Sequence, residues 1–128
     1  MTQDINNPYA AEAKARWGDT DSFKESQRRL AGYSKEEIAK AQSAMQEATN
    51  VVLEAMTAGL PADSEKAMAG AEAHRRSICD YWYECSYEIH TGLATMYLAD
   101  PRFTAHYEAQ RAGFAKYIHD AIIANANK

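Results

Sequence analysis

The sequence predicts an all-α domain, and three observations carry that prediction. No stretch of any length alternates apolar and polar residues with the period of two that a half-buried strand requires. From Ser34 onward, helix-start and helix-stop residues bracket apolar stripes with a period of about 3.6 residues. There are only three prolines, at positions 8, 61 and 101, and none interrupts such a stripe.

Residues 1–33 carry the weakest signals. Two short helical runs, Pro8–Trp17 and Asp21–Leu30, are punctuated by Gly18 and Gly32. Each is shorter than an isolated helix needs to persist in water. Their apolar content is thin apart from Tyr9, Trp17, Phe23, Leu30 and Tyr33. This segment is expected to be loosely attached to a core formed by residues 34–128, unless something gives those aromatics a surface to cover. Ser34-x-x-Glu37 is a capping box that opens a helix running to about Ala58, with Gly59 as its stop and Pro61 beyond. Ile38, Ala41, Met45, Ala48, Val52 and Met56 share one stripe of it, opposite Lys40, Glu47 and Glu54. Asp63 or Ser64 caps the next helix, with Ala67, Ala71, His74 and Ile78 on its stripe. A break is expected near Cys79–Trp82, because an uninterrupted helix from Ser64 to Leu98 would be about 50 Å long.

The segment from Tyr83 to Ala99 then reads as a central helix. At about 100° per residue, Cys85, Ile89, Gly92 and Met96 fall on one side. Tyr83, Tyr87, His90, Ala94 and Tyr97 fall on the other. Asp100-Pro101 restarts the chain as a first helical turn, leading to a short helix through His106. A last helix from about Ala112 to Ala124 buries Phe114, Ala115, Ile118, Ala121 and Ile122.

A chain of 128 residues is enough for one domain with a single core. With 46% hydrophobic and 25% charged residues it is globular rather than disordered. A net charge of −4 without a basic cluster argues against DNA binding by this chain alone, since phosphate neutralisation needs a basic face. The Arg28–Arg29 and Arg75–Arg76 pairs read as solvated helix faces. No apolar run is long enough to span a membrane, and "MTQDINNPYA" lacks the features of a signal peptide. On a continuous helix Cys79 and Cys85 would be about 9 Å apart along the axis, too far to bond. Reduced thiols in a cytoplasmic protein follow from that reading.

The chemistry-bearing residues do not form a catalytic set within one helix. Cys85 and His90 are five helical positions, and so about 140°, apart, which excludes a nucleophile–base dyad there. A pairing of Cys79 or Cys85 with His74 of the preceding helix stays geometrically open, against the tendency of buried cysteines to behave as small apolar residues. The Glu-x-x-His pairs of di-iron bundles do not occur, and the four histidines lie 13 or 16 residues apart, unlike the close pairs that zinc sites favour. No metal, no cofactor and no enzymatic activity are expected. His74 on an apolar stripe reads either as a satisfied core histidine or as a polar group at the floor of a pocket. A globin-like haem sensor using His74 or His90 is the alternative from another class. Tyr81, Trp82 and Tyr83 are consecutive and cannot all face one core. With Tyr87, Tyr97, Phe103 and Tyr107 they could line a groove for a large, planar, weakly polar ligand.

Four stretches, "ARWGDTDSFKESQRRLAGYSKEE", "GLPADSEKAM", "YECSYEIHTGLATMYLADPRF" and "AGFAKYIHDAIIANA", occur in this order between about Tyr9 and Asn127. Together they resemble the TipAS-type antibiotic-recognition domain, usually the C-terminal half of a MerR-type transcription regulator. The resemblance implies a globin-like helical fold without haem, a deep cleft for thiopeptides and, over residues 1–33, a mobile N-terminal lid that folds over the ligand, which agrees with the weak helices there. It implies either the effector domain of such a regulator or a free short form that sequesters drug. It also implies that Gly92 occupies the position of the cysteine that captures a dehydroalanine of the antibiotic, so this chain should bind reversibly. Cys85 matches the family's other cysteine. The candidate ligand-binding residues are Trp17, Tyr33, His74, Tyr81, Trp82, Tyr83, Tyr87 and Gly92; only Gly92 comes from the family motif, the others from pattern.

Overall fold

The computed structural model describes residues 21–128, which form six helices and no strand. These are α1 (Asp21–Ala31), α2 (Lys35–Thr57), α3 (Glu65–Tyr81), α4 (Tyr87–Ala99), α5 (Pro101–Glu108) and α6 (Phe114–Ala126). The expected run Pro8–Trp17, the candidate Trp17 and the side chain of Phe23 lie outside what is described.

Local chemistry sets most helix ends. Ser34 Oγ accepts from the Glu37 amide, and the Glu37 carboxylate accepts from the Ser34 amide, completing the expected capping box. At the other end of α2, Gly59 takes φ 79°, and the amides of Gly59 and Leu60 bond back to the carbonyls of Met56 and Ala55. That is a Schellman stop, and its left-handed residue favours glycine. Ser64 rather than Asp63 caps α3, accepting from the Ala67 amide. Asp100 caps α5 through its bond from the Arg102 amide. The N-terminus of α6 has no cap from its own residue Gly113; Glu108 supplies it, accepting from the amides of Gly113 and Ala115 at 2.9 Å each.

The core draws Val52 and Ala55 from α2, Ala67 and Ala71 from α3, Ala94 and Tyr97 from α4, Tyr107 from α5, and Phe114, Ala115, Ile118, Ala121 and Ile122 from α6. The predicted stripe of α6 is therefore the one that is buried. Helices α2 and α3 pack tightly at Gly70, where an added Cβ would stand 2.6 Å from Val52 Cγ2 and 2.9 Å from the Val52 backbone nitrogen.

Three expectations fail here. The break falls at Trp82–Ser86, later than expected, and α4 starts only at Tyr87. Ser86 caps it, accepting from the Ile89 amide, so Tyr83 and Cys85 lie in a bend and not on a helix face. The two-sided reading of α4 fails with it: His90, Ala94 and Tyr97 are buried, but Gly92 is exposed. Arg29 and Arg75 are not solvated either: their side chains are 25% and 15% exposed, against 73% and 71% for Arg28 and Arg76.

Candidate functional site

The bend Trp82–Ser86 forms one wall of an apolar cleft of about 290 Å³. Ser26 of α1 and Met45 of α2 border it, with Ile78 of α3 below. Trp82 and Tyr83 face Leu93, Met96 and Tyr97 of α4, with Phe103 of α5 at the end. Leu93, Met96 and Tyr97 are spaced i, i+3, i+4, which places them on one side of α4. Aromatic rings continue behind the lining: Tyr97 packs on Phe103 at 5.9 Å and on Tyr107 at 5.0 Å, and Tyr107 meets Phe114 edge-on at 5.8 Å. Such a surface presents large, rigid, weakly polar area.

Helix α1 is attached to this wall by polar contacts. Arg29 donates to the Cys79 carbonyl at 2.6 Å, and the Tyr33 hydroxyl donates to the Tyr81 carbonyl at 2.6 Å. The Tyr33 ring meets Trp82 edge-on at 6.4 Å. Among the described side chains of α1 only Leu30 is buried.

A second network braces the bend from the α3 side. Arg75 donates to the Cys85 carbonyl at 2.8 Å, pairs with Glu72 at 2.6 Å, and lies 4.2 Å over the Tyr87 ring. Glu72 also accepts from Asn125 of α6 at 3.0 Å and from Arg76 at 3.1 Å. Arg75, the main cause, and Asn125 hold the Glu72 carboxyl down at about 2.

The sequence-derived residues thus separate into groups. Trp82 and Tyr83 line the cleft, while Tyr33 packs on Trp82 without lining it. Tyr81 lies on the other side, where it borders an open groove with Ala39, Lys40 and Ala44 of α2. Tyr87 is exposed and engaged with Arg75. Tyr107 is a core residue. Gly92 is exposed, with nothing within 4 Å of an added Cβ, one helical turn before the cleft residue Met96. Ser26, Met45, Ile78, Leu93 and Met96 line the cleft without having been singled out for it. Ser86 followed by acidic Glu88 was the available signal for the true start of α4, and from that start the Leu93–Met96–Tyr97 side could have been found.

His74 lies behind the wall. It is fully buried and stacks on His90 of α4, with ring centroids 5.2 Å apart and His74 Nδ1 2.9 Å from His90 Nε2. Tyr97 meets His74 edge-on at 6.3 Å, which connects the pair to the cleft floor. One imidazole donates to the other, so one N–H and one lone pair remain unpartnered, at His74 Nε2 and His90 Nδ1. Burial pushes His74 down to about 4, and burial together with the neighbouring His74 and Arg75 pushes His90 down to about 3. The pair is neutral at ordinary pH. Neither ring lines the cleft, so the haem alternative gains no axial ligand there. Among the described residues no group of three or more His, Cys, Asp or Glu side chains is placed to hold a metal ion, and no helix is long and apolar enough to cross a membrane.

The family model of the TipAS antibiotic-recognition domain matches residues 9–125. The HTH-type transcriptional activator TipA of Streptomyces coelicolor is 45% identical over 118 residues, which are 92% of this chain and 47% of the relative. The HTH-type transcriptional activator mta of Bacillus subtilis is 30% identical over 115 residues, 90% of this chain and 44% of the relative. The chain thus spans about half the length of the curated relatives it matches. Among solved structures, TipAS of Streptomyces lividans in complex with nosiheptide superposes with a TM-score of 0.85 at 44% identity, over 93% of this chain and 83% of that one. The antibiotic binding domain of a TipA-class multidrug resistance transcriptional regulator gives 0.62 at 47% identity, over 68% and 93%.

Proposed function

The chain belongs to the TipAS antibiotic-recognition domain family, and from that premise we propose that it is a non-enzymatic receptor for a thiopeptide-like macrocycle or another large hydrophobic natural product. The occupied site is the cleft between α1, the Trp82–Ser86 bend, α4 and α5. The observation that carries this reading is the continuous aromatic lining of Trp82, Tyr83, Tyr97 and Phe103 in a chain of this family. The receptor works in the cytoplasm, either as the effector half of a MerR-type regulator or as a short form that sequesters drug.

Residues 1–33 act as the lid on the 34–128 core. A volume of about 290 Å³ is at the small end for a drug-sized ligand, and outward movement of α1, which borders the cleft through Ser26, makes room for a macrocycle. Its attachment through Arg29, Tyr33 and little buried surface suits that movement. Binding is reversible. Gly92 offers no nucleophile, and neither Cys79 nor Cys85 is among the lining residues.

Nosiheptide is the probe. It should quench tryptophan fluorescence and raise the melting temperature, since a ligand at 100 times its Kd adds about 2.7 kcal/mol. Trp82→Ala should weaken it at least tenfold. Absence of both signals at saturating nosiheptide, in a protein that melts cooperatively, would refute thiopeptide recognition.

A further inference from the structure

The bend that builds the cleft wall also brings two thiols together. Helix α3 ends at Tyr81, and the reversal over Trp82–Ser86 returns Cys85 to the last turn of that helix. The Cys85 amide donates to Cys79 Sγ at 3.3 Å, and the Cys79 thiol lies 3.5 Å from the Cys85 carbonyl oxygen. Arg75 grips the same carbonyl and passes 3.8 Å from the Cys79 sulfur. The premise of a continuous helix, which kept these residues apart, is therefore replaced by contact. Both cysteines are free, Cys79 half-buried and Cys85 buried. A sulfur seated on both backbone polar groups of a second cysteine leaves a side-chain rotation and a small loop adjustment before the Cβ atoms reach the bonded separation of about 3.5–4.5 Å.

We propose that Cys79 and Cys85 are a reversible dithiol–disulfide site, oxidised by exchange with a low-molecular-weight disulfide, whose state sets the position of the Trp82–Tyr83 wall. In the first step the Cys79 thiolate attacks one sulfur of the external disulfide. That S–S bond breaks, a mixed disulfide forms on Cys79, and one small thiolate leaves and is protonated. In the second step Cys85 gives its proton to solvent, and its sulfur attacks the Cys79 sulfur, expelling the second small thiolate. The protein loses two electrons and two protons, and the external disulfide becomes two thiols. Exposure assigns the roles. Cys79 is the thiol that an oxidant reaches. Cys85 is buried, and that burial, with Cys79 beside it, pushes its thiol up to about 12, so it resolves the mixed disulfide only when the bend opens.

Closure removes the sulfur acceptor of the Cys85 amide and draws the Cys85 side chain from its buried seat. The residues between the two cysteines include Trp82 and Tyr83, so the wall must shift relative to Leu93 and Met96. Intracellular disulfides of this kind are transient and sensing rather than structural. That bond formation is independent of the receptor reading; only the meaning of the shifted wall rests on it.

Oxidised glutathione and the folded full chain test both parts. After alkylation of unreacted thiols, wild-type intact mass should show the loss of about 2 Da of a closed disulfide, reversed by dithiothreitol. Cys85→Ser should stop with one glutathione on Cys79, and Cys79→Ser should acquire none at Cys85 while folded. A wild-type protein that keeps glutathione on Cys79 without closing, or that stays reduced when folded, overturns the site. For the wall, a Trp17→Phe chain leaves Trp82 as its only tryptophan. Oxidation should shift its emission, and dithiothreitol should restore it; an unchanged emission alongside a closed disulfide overturns the coupling. Neither readout uses an antibiotic, so failure of nosiheptide to bind would count against the receptor reading alone.

Discussion

Two glycines occupy equivalent places in this fold and mean opposite things. Gly70 is the sixth residue of α3 and Gly92 the sixth of α4. At Gly70 a Cβ would collide with both the side chain and the backbone of Val52. At Gly92 it would meet nothing within 4 Å. Mid-helix glycine is disfavoured at both places, but only at Gly70 does the α2–α3 contact require it. On one side the molecule is closed to the last methyl group. On the other, at an exposed position of α4, an added side chain would enter open space.

The largest test acts on the boundary between these regions, the His74–His90 contact of α3 with α4. Both folded pKa values lie below the ordinary histidine value. Above about pH 7 both states are neutral and stability is complete. As pH falls below about 6.5, the unfolded chain takes up protons that the folded pair refuses, at about 1.4 kcal/mol per proton per pH unit. The loss continues down toward the folded values of about 4 and 3, and should be on the order of 3 kcal/mol or more by pH 4. Glu72, held at about 2, adds its own loss only below its ordinary value near 4.5. Urea unfolding at pH 7, 6, 5 and 4 measures the slope. A flat profile between pH 6.5 and 5 would show that the pair does not exclude protons.

Next is Gly70→Ala. Overpacking of this kind typically costs about 1–3 kcal/mol, and a clash that includes backbone belongs at the upper end. Adding Val52→Ala removes the Cγ2 contact but not the contact with the Val52 nitrogen, so it should rescue only part of the loss beyond its own cost. Full rescue in the double-mutant cycle, or no loss in the single variant, would break the contrast with Gly92.

What was legible in the sequence follows the range of the interaction. The Ser34–Glu37 box, the Gly59 stop and the Asp100-Pro101 start are local devices, and each does what its residue types require. The α6 stripe is legible for the same reason, since its period is set within the helix. Periodicity does not locate the bend at Trp82–Ser86, because the apolar residues on both sides keep a helical phase. Errors at the site descend from it. A helix taken to begin at Tyr83 puts Gly92 on the side of buried Cys85, whereas Gly92 is exposed. Arg75 looked solvated because its partners, the Cys85 carbonyl and the Tyr87 ring, are brought to it only by the bend. The His74–His90 contact and the Gly70–Val52 contact join residues 16 and 18 positions apart. No local pattern encodes either of them. The aromatic cluster at Trp82 and Tyr83 was found because three consecutive bulky residues cannot share one core, which is a local argument again.

A smaller effect should separate the lid from the core. Tyr33→Phe removes the bond to the Tyr81 carbonyl and keeps the ring against Trp82. A single neutral hydrogen bond contributes about 1 kcal/mol, so α1 amides should exchange about fivefold faster while those of α6 stay unchanged. If α6 accelerated equally, α1 would be part of the cooperative core, and the lid reading would lose its physical basis.

The smallest change in stability belongs to Gly92, and it decides the most about function. Gly92→Ala should raise stability by about 0.5–1 kcal/mol, because alanine restricts the unfolded chain and an exposed helix position with open space imposes no clash. Gly92→Cys should fold for the same reason. The family resemblance puts the capturing cysteine at this position, one turn from Met96 on the cleft rim. A thiol held there against a dehydroalanine gains the effective concentration that makes positioned groups react. Wild-type protein should therefore release nosiheptide in denaturing mass spectrometry, and Gly92→Cys should retain it as an added mass mapped to residue 92. Cys85 cannot stand in, because it is buried against Ser86 and Cys79 and not among the cleft-lining side chains. A wild-type adduct on Cys85 or Cys79 would reverse the claim of reversible binding. A Gly92→Cys protein that folds and binds nosiheptide but forms no adduct would move the capture position elsewhere, leaving the open space at Gly92 to be explained by ligand shape alone.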